Sequence, residues 1–248
     1  MTTPVAMFVQ AFDGGAALAM AMLVAMAVRS AVGAGAKAAD LTPVVALLSV
    51  GFGASTAISV ADGFGTGSYA LPLLALSLVV PLAIGVTLVL ASSDFRRLIS
   101  RPEIQPGVVA VHGLRIIQGP VFVVMVPLGV LPAIFALPAG LGDLLVGLGA
   151  LAAVGWVGSG RWARVVWWNL FGLFDLATAM VLGLLTVPGL HLWQTTPTSA
   201  LLLASPLTII PTFCVPIYIL LHLVSLRFLV ASRSAAQPFR AVKLETSA

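Results

Sequence analysis

The chain has 248 residues, of which 60% are hydrophobic and only 8% carry a full charge. Soluble domains carry about 25% charged residues on average, so the composition excludes a soluble enzyme and a nucleic-acid-binding protein. The 12 Lys and Arg residues outnumber the 8 Asp and Glu residues, and their positions are more informative than their sum. We therefore expect an all-helical membrane protein whose main partner is the lipid bilayer.

Apolar runs separated by charged or Gly/Pro-rich breaks predict seven transmembrane helices in one bundle. A helix needs about 20 mostly apolar residues to cross the hydrocarbon core. The predicted spans are Val5–Val28, Leu41–Val60, Tyr69–Ala91, Gly107–Pro127, Leu131–Val157, Ala163–Val187 and a last one between Ser199 and Ala231. Residues 1–231 then form a single seven-helix domain, and residues 232–248 form a basic cytoplasmic tail.

The basic residues predict the orientation of this bundle. All of them except Arg115 fall in the first, third and fifth loops, at the end of the last span or after it: Arg29, Lys37, Arg96, Arg97, Arg101, Arg161, Arg164, Arg227, Arg233, Arg240 and Lys243. Because Lys and Arg are enriched in cytoplasmic loops, this pattern predicts an external N-terminus and a cytoplasmic C-terminus. These residues also suit contacts with anionic lipid head groups.

Arg115 is the exception, because it lies inside the fourth span. At 1.5 Å per residue it sits about 13 Å into the membrane from the cytoplasmic end. His112 and Gln118 lie three residues before and three residues after it, on the same face of a helix. A polar stripe of this kind has to face protein or water rather than lipid.

Two acidic residues lie deep in the membrane as well. Asp143 in the fifth span is roughly 18 Å deep, and Asp175 in the sixth span is near the midplane. Arg115 is the one intramembrane cation that can pair with them, which leaves an excess of one acid and predicts proton binding. Asn169 and His222 lie at a depth comparable to that of Arg115.

Small residues and prolines indicate how the helices pack around these charges. Gly140, Gly147 and Ala150 share the helical face of Asp143, so another helix can approach that face closely.

The last span carries three prolines at intervals of five residues, at positions 206, 211 and 216. These prolines predict a kinked helix, which suits either a gate beside a cavity or a purely structural role. Tryptophans at positions 156, 162, 167 and 168 predict an aromatic belt at the cytoplasmic interface.

The sequence weighs against the common cofactors. The predicted spans contain no Lys, which excludes a retinal Schiff base despite the seven-span topology. His112 and His222 both fall in the cytoplasmic half and could be pictured as ligands of haem b. Two scattered histidines are a weak indication, so we do not expect haem. The single Cys214 and the absence of His/Cys cluster motifs predict no metal site.

From about Pro81 to His222 the sequence resembles a group of uncharacterised bacterial multi-pass membrane proteins. The resemblance rests on Asp94-Phe95-Arg96, Arg115, LPAIFALPAGLGDLLVG (131–147), WNLFGLFDL (168–176) and IPTFCVPIYILLHL (210–223). It implies an all-helical fold in a bacterial inner or plasma membrane and highlights Arg115, Asp143, Asn169, Asp175 and His222. It implies no particular activity.

The leading hypothesis is a transporter-like bundle with a polar site between spans four to seven that binds or translocates a small solute or proton. Asp143 or Asp175 would titrate, Arg115 would be the counter-charge, and the hydrogen-bonding partners would be Gln118, Asn169 and His222. A second hypothesis is an intramembrane enzyme acting on lipid, in which the carboxylates and His222 activate water around a metal. A third is a receptor-like or structural subunit of a larger complex or oligomer, with the polar cluster as a packing clamp.

Overall fold

The computed structural model describes residues 37–245 apart from 65–68 and 191, together with isolated positions between 22 and 35. For residues 38–40 and 233–245 it describes the backbone alone. Six helical stretches are long and apolar enough to cross a membrane: Leu41–Val60, Ala70–Ala91, Gln105–Met125, Ala133–Gly158, Trp162–Thr186 and Ile210–Ser232. They coincide with the second to seventh predicted spans, except that the last begins at Ile210. The first predicted span, Val5–Val28, lies outside the described residues apart from isolated positions.

The helices follow one another in simple order along the described chain. They are α1 (Ala38–Val60), α2 (Ala70–Ala91), α3 (Ser93–Ile99), α4 (Gln105–Ala110), α5 (Arg115–Met125), α6 (Ala133–Gly158), α7 (Trp162–Thr186) and α8 (Val215–Glu245). A 3-10 stretch, Val111–Leu114, joins α4 to α5, and a second one, Ser199–Leu203, precedes α8. Helix α8 continues to Glu245, so most of the predicted tail extends the last helix.

The fourth span differs from the single α-helix that its hydropathy predicts. It is built from α4, the 3-10 stretch and α5 in succession, and the 3-10 stretch contains His112 and Gly113. Side chains three residues apart eclipse each other in a 3-10 helix, whereas they are offset in an α-helix. His112 and Arg115 therefore lie one above the other, on the side of the span that faces the rest of the bundle.

The last span also begins later than its hydropathy predicts. A π-helical turn, Ile210–Cys214, leads directly into α8, and Pro206 lies before this turn. Pro211 lies within the turn and Pro216 in the first turn of α8, so the prolines mark the start of the helix rather than kinks in its middle. The Ser55 hydroxyl of α1 donates to the Thr212 carbonyl at 3.4 Å. That carbonyl is the one that Pro216, which has no N–H, leaves without its helical partner.

The core of the bundle lies between α4–α5, α6, α7 and α8, whereas α1 and α2 are peripheral with few buried residues. One apolar cluster packs Phe122, Phe135 and Leu176 with the start of α8. A second cluster packs Val146, Val165 and Phe228 towards the other end of the bundle. The charged residues predicted to lie in the membrane sit between these two apolar clusters.

Candidate functional site

Arg115 is the centre of the polar site, and its side chain is fully buried. Its Nε donates to Oδ1 of Asp143 on α6 at 2.5 Å, and its Nη2 donates to Oδ2 of Asp175 on α7. One guanidinium thus bridges two carboxylates from two other helices. The described structure confirms that the three intramembrane charges predicted from the sequence form one cluster.

Glycines let α5 and α6 approach closely enough for this bridge to form. A Cβ added at Gly119 would lie 2.8 Å from the backbone nitrogen of Leu144, and one added at Gly147 would lie 2.7 Å from that of Ile116. Gly140 lies against Gly119 in the same way. Backbone contacts of this kind are available only to small residues. The small-residue face around Asp143 therefore does face a neighbouring helix, as its pattern predicts.

Tyr218 of α8 closes a third side of the cluster. Its ring lies beneath the Arg115 guanidinium, with 5.5 Å between Cζ and the ring centroid. Its hydroxyl donates to Oε1 of Gln118 at 2.9 Å, which places the predicted site residue Gln118 beside the charges. A cation over a tyrosine face is stabilised by the ring quadrupole, most strongly where water is excluded. Sequence reasoning missed Tyr218, although it lies one helical turn before His222.

His222 and Asn169 form a separate hydrogen-bonded network on the other side of Arg115. Nδ2 of Asn169 donates to the Val165 carbonyl at 2.8 Å and to the Ser225 hydroxyl at 3.0 Å. Because a carbonyl can only accept, the amide orientation is fixed, and Oδ1 of Asn169 faces Nδ1 of His222 at 2.9 Å. A neutral His222 therefore carries its proton on Nδ1 and presents a lone pair on Nε2.

His112 stacks on His222 and completes an aromatic layer. The two imidazole centroids are 3.9 Å apart, with 32° between the ring planes. The Trp168 indole packs against both rings, at 5.1 Å from each, and donates from Nε1 to the Val146 carbonyl at 3.0 Å. This corrects the predicted aromatic belt at one position, because Trp168 is buried whereas its neighbour Trp167 is 72% exposed.

Several polar atoms at this level have no hydrogen-bond partner among the described residues. They are Nη1 of Arg115, both ring nitrogens of His112 and Nε2 of His222. Buried polar groups are nearly always satisfied in proteins, so unsatisfied ones in a cluster point to bound water, a proton or a ligand. The stacked histidines do not suit haem, because a porphyrin would have to pass between two axial imidazoles whose centroids are 3.9 Å apart.

The site has a cavity on one side and a tightly packed layer on the other. The cavity, about 60 Å³ in volume, extends from Gln118, Asp143 and Tyr218 towards Val187 and Leu202. Its other walls are almost entirely apolar. On the opposite side of Arg115, the aromatic layer of His112, Trp168 and His222 fills the bundle. A molecule in the cavity therefore meets the charged cluster first, and the stacked rings lie beyond Arg115.

The structure brings all six predicted site residues into this region, although in two groups. The first group is the charged cluster with its neighbour Gln118, and it consists of Arg115, Gln118, Asp143 and Asp175. The second group is the hydrogen-bonded pair of Asn169 and His222, on the side of Arg115 away from the cavity. Within the part of the chain that the structure describes, no group of three or more His, Cys, Asp or Glu is arranged to hold a metal ion. The metal-dependent enzyme hypothesis therefore has no ligand set among those residues.

The fold and the site define a class of protein, namely an all-helical bundle with membrane-spanning dimensions and a buried cluster of one arginine and two aspartates. Residues 70–230 match the family described as domain of unknown function DUF8737, and the chain belongs to this family. The matched region contains the whole cluster and the aromatic layer. No curated protein and no solved structure matches the chain.

Proposed function

We propose that the protein binds and translocates a proton or a small solute at the Arg115–Asp143–Asp175 cluster, as a multi-pass protein of a bacterial inner membrane. The observation that carries this proposal is the charge count. One guanidinium is paired with two carboxylates, so the ionised cluster has a net charge of −1 in a site that is almost completely buried. An unbalanced buried charge is costly, and a proton or a cationic solute removes that cost.

The access to the cluster supports a transport role. A carrier that works by alternating access exposes its site to one side of the membrane while a packed layer closes the other. Here the cavity reaches Asp143 from one side, and the stacked rings of His112, His222 and Trp168 close the other. The predicted orientation places the cavity on the external side and the aromatic layer on the cytoplasmic side.

Several titratable groups face the cluster besides the two aspartates. Tyr218 and Cys214 lie on the last helix and the turn that precedes it, His222 lies one turn beyond Tyr218, and His112 lies one turn before Arg115. The cationic form of either histidine would add a second positive charge beside Arg115, which repels it. The aspartate pair is therefore the place where one proton removes the unbalanced charge.

The experiment is infrared spectroscopy of the purified protein as a function of pH. A protonated carboxyl has a C=O stretching band that an ionised carboxylate lacks. We expect this band in the wild-type protein at neutral pH, and we expect Asp143→Asn and Asp175→Asn each to remove it, since either change leaves a balanced pair. The matched control is Asp94→Asn, which removes an exposed carboxylate that pairs with Arg97.

Two results would contradict the proposal. One is a wild-type spectrum without a protonated carboxyl at any pH at which the protein is folded. The other is a band that persists unchanged in both cluster variants, because the proton would then lie elsewhere.

A structural clamp is the second candidate function, and the complete burial of Arg115 favours it. A guanidinium that ties three helices together fixes their arrangement even if no proton or solute ever moves. Replacing all three residues by apolar ones of similar size separates the two functions. A pure clamp predicts an equally stable bundle with no change in any proton or solute binding, because buried ion pairs can be exchanged for apolar contacts at little cost.

A further inference from the structure

We propose that the solute is a small organic cation, an ammonium group on a short apolar body, which occupies the cavity in exchange for the proton on the aspartate pair. This inference rests on the proposed function, since it assigns the chemical class of the ligand at the same cluster. It comes from three features of the cavity: the sign of the charge at its end, the character of its walls and its size.

The charge that faces the cavity is negative. The side chain of Asp143 is 11% exposed and lines the cavity, whereas the side chain of Arg115 has no exposed surface. Oδ1 of Asp143 accepts from Arg115, and no partner within the described residues donates to its Oδ2. A carboxylate that lines an apolar cavity and has one oxygen without a donor is a site for an N–H group, most favourably a charged one.

The walls discriminate between kinds of cation. Phe122 and Phe135 pack edge to face at 5.4 Å on one wall, and Leu176 and Val215 lie on others. Hard divalent cations require about six oxygen ligands, and this lining offers too few oxygens to replace a hydration shell. An ammonium ion on an apolar body needs one carboxylate and apolar contacts, and aromatic faces add cation–π attraction. An anion would be repelled by the Asp143 carboxylate, because no Lys or Arg lines the cavity.

The size of the cavity favours a small ligand. One water needs about 10–15 Å³ on this measure, so a cavity of about 60 Å³ holds about four to six non-hydrogen atoms. The 3-methylbutylammonium ion has about that size and an apolar branched body. Its uncharged counterpart, 3-methylbutan-1-ol, has the same shape and the same number of non-hydrogen atoms.

The exchange balances in charge and in protons. Without the ligand, one carboxyl of the pair holds a proton and the cluster is neutral. When the ammonium ion binds as a cation, that carboxyl ionises, its proton leaves through the cavity to water, and the new cation restores neutrality. Proton and ammonium ion thus compete for one unit of negative charge.

The experiment is a ligand-observed NMR titration of the full-length protein in nanodiscs, with empty nanodiscs subtracted. The probes are 3-methylbutylammonium and 3-methylbutan-1-ol. We expect the ammonium ion to bind about tenfold or more tightly than the alcohol, which is the range for one charge-assisted hydrogen bond. Asp143→Asn should remove that preference.

A pair of substitutions on α7 provides a control that leaves the charged residues intact. Ala179 lines the cavity, whereas Ala177 on the same helix is exposed and does not line it. We expect Ala179→Phe to abolish binding of the ammonium ion by filling the cavity and Ala177→Phe to leave its affinity unchanged. This comparison remains informative even if Asp143→Asn fails to fold.

Equal affinity for the amine and the alcohol, or binding that survives Ala179→Phe, would overturn the inference. The infrared experiment separates this failure from a failure of the proposed function. A wild-type protein that shows the protonated carboxyl but does not prefer the ammonium ion keeps the proton site and loses the assigned ligand.

Discussion

Either aspartate alone should be enough to neutralise Arg115. This predicts that the double variant Asp143→Asn/Asp175→Asn is destabilised by more than the sum of the two single variants. In Asp143→Asn the guanidinium keeps Asp175, and in Asp175→Asn it keeps Asp143. Each single change weakens one hydrogen bond of the guanidinium, because the Asn oxygen still accepts but carries no charge, and costs at most about 1.5–3 kcal/mol of unfolding free energy. Removing the excess acid offsets part of that loss.

The double variant creates a different problem, because Arg115 has no other acidic partner among the described residues. It weakens both hydrogen bonds and also leaves the guanidinium without a counter-charge, which for an arginine at the membrane centre costs about 2.5–3.5 kcal/mol more on insertion scales. Arg115 is completely buried, so its guanidinium has no solvent contact in the folded bundle that could replace the lost carboxylates. The double variant should therefore be destabilised by about 2.5–3.5 kcal/mol beyond the sum of the single variants.

The assay is reversible unfolding in mixed micelles of sodium dodecyl sulfate and a nonionic detergent, followed by tryptophan fluorescence. Asp94→Asn is the control and should change the unfolding free energy by less than about 0.5 kcal/mol, because its ion pair is exposed. Additive single changes would refute the reasoning, since they would mean that each aspartate is stabilised independently of the shared guanidinium.

Three further predictions concern packing, closure and pH. Gly119→Ala should destabilise the protein by about 1–3 kcal/mol, because the added Cβ meets the α6 backbone, whereas Gly155→Ala on α6 has open space and should be neutral or stabilising in the same unfolding assay. Trp168→Ala should lower the unfolding free energy by about 3–5 kcal/mol and admit water to the aromatic layer, which hydrogen exchange would detect. Trp168→Phe should lower the unfolding free energy by only about 1 kcal/mol, because it loses the hydrogen bond to the Val146 carbonyl and keeps the aromatic packing. At pH values where the aspartate pair holds its proton, affinity for 3-methylbutylammonium should fall about tenfold for each unit that the pH is lowered, because proton and ligand compete, and a pH-independent affinity in NMR titrations would contradict this.

The sequence was sufficient to predict the charged cluster because the membrane leaves so few alternatives. Arg115, Asp143 and Asp175 each lie too deep to be solvated, and one cation with two acids can be satisfied only by sharing. The glycines beside Asp143 added the prediction of a close helix contact, which the backbone approach at Gly119 and Gly147 confirms. Composition, charge sign and spacing carried these inferences without any knowledge of the fold.

The aromatic layer could not be predicted in the same way, because it depends on the rotation of each helix. Trp167 and Trp168 are adjacent in the sequence and alike in hydropathy, yet one is 72% exposed and the other lies against two histidines. The stacking of His112 on His222 depends on the 3-10 stretch in the fourth span and on the late start of α8. Neither departure from regular α-helix is visible in a pattern of apolar residues.

The most direct test of the account is to count the protons released when the ligand binds. The purified protein in a weakly buffered solution with a pH-indicator dye is mixed with 3-methylbutylammonium adjusted to the same pH. If proton and cation share the single excess charge of the Arg115–Asp143–Asp175 cluster, about one proton should appear for each ligand bound, and none in Asp143→Asn. Binding of the ammonium ion to the wild-type protein without proton release would contradict the central claim.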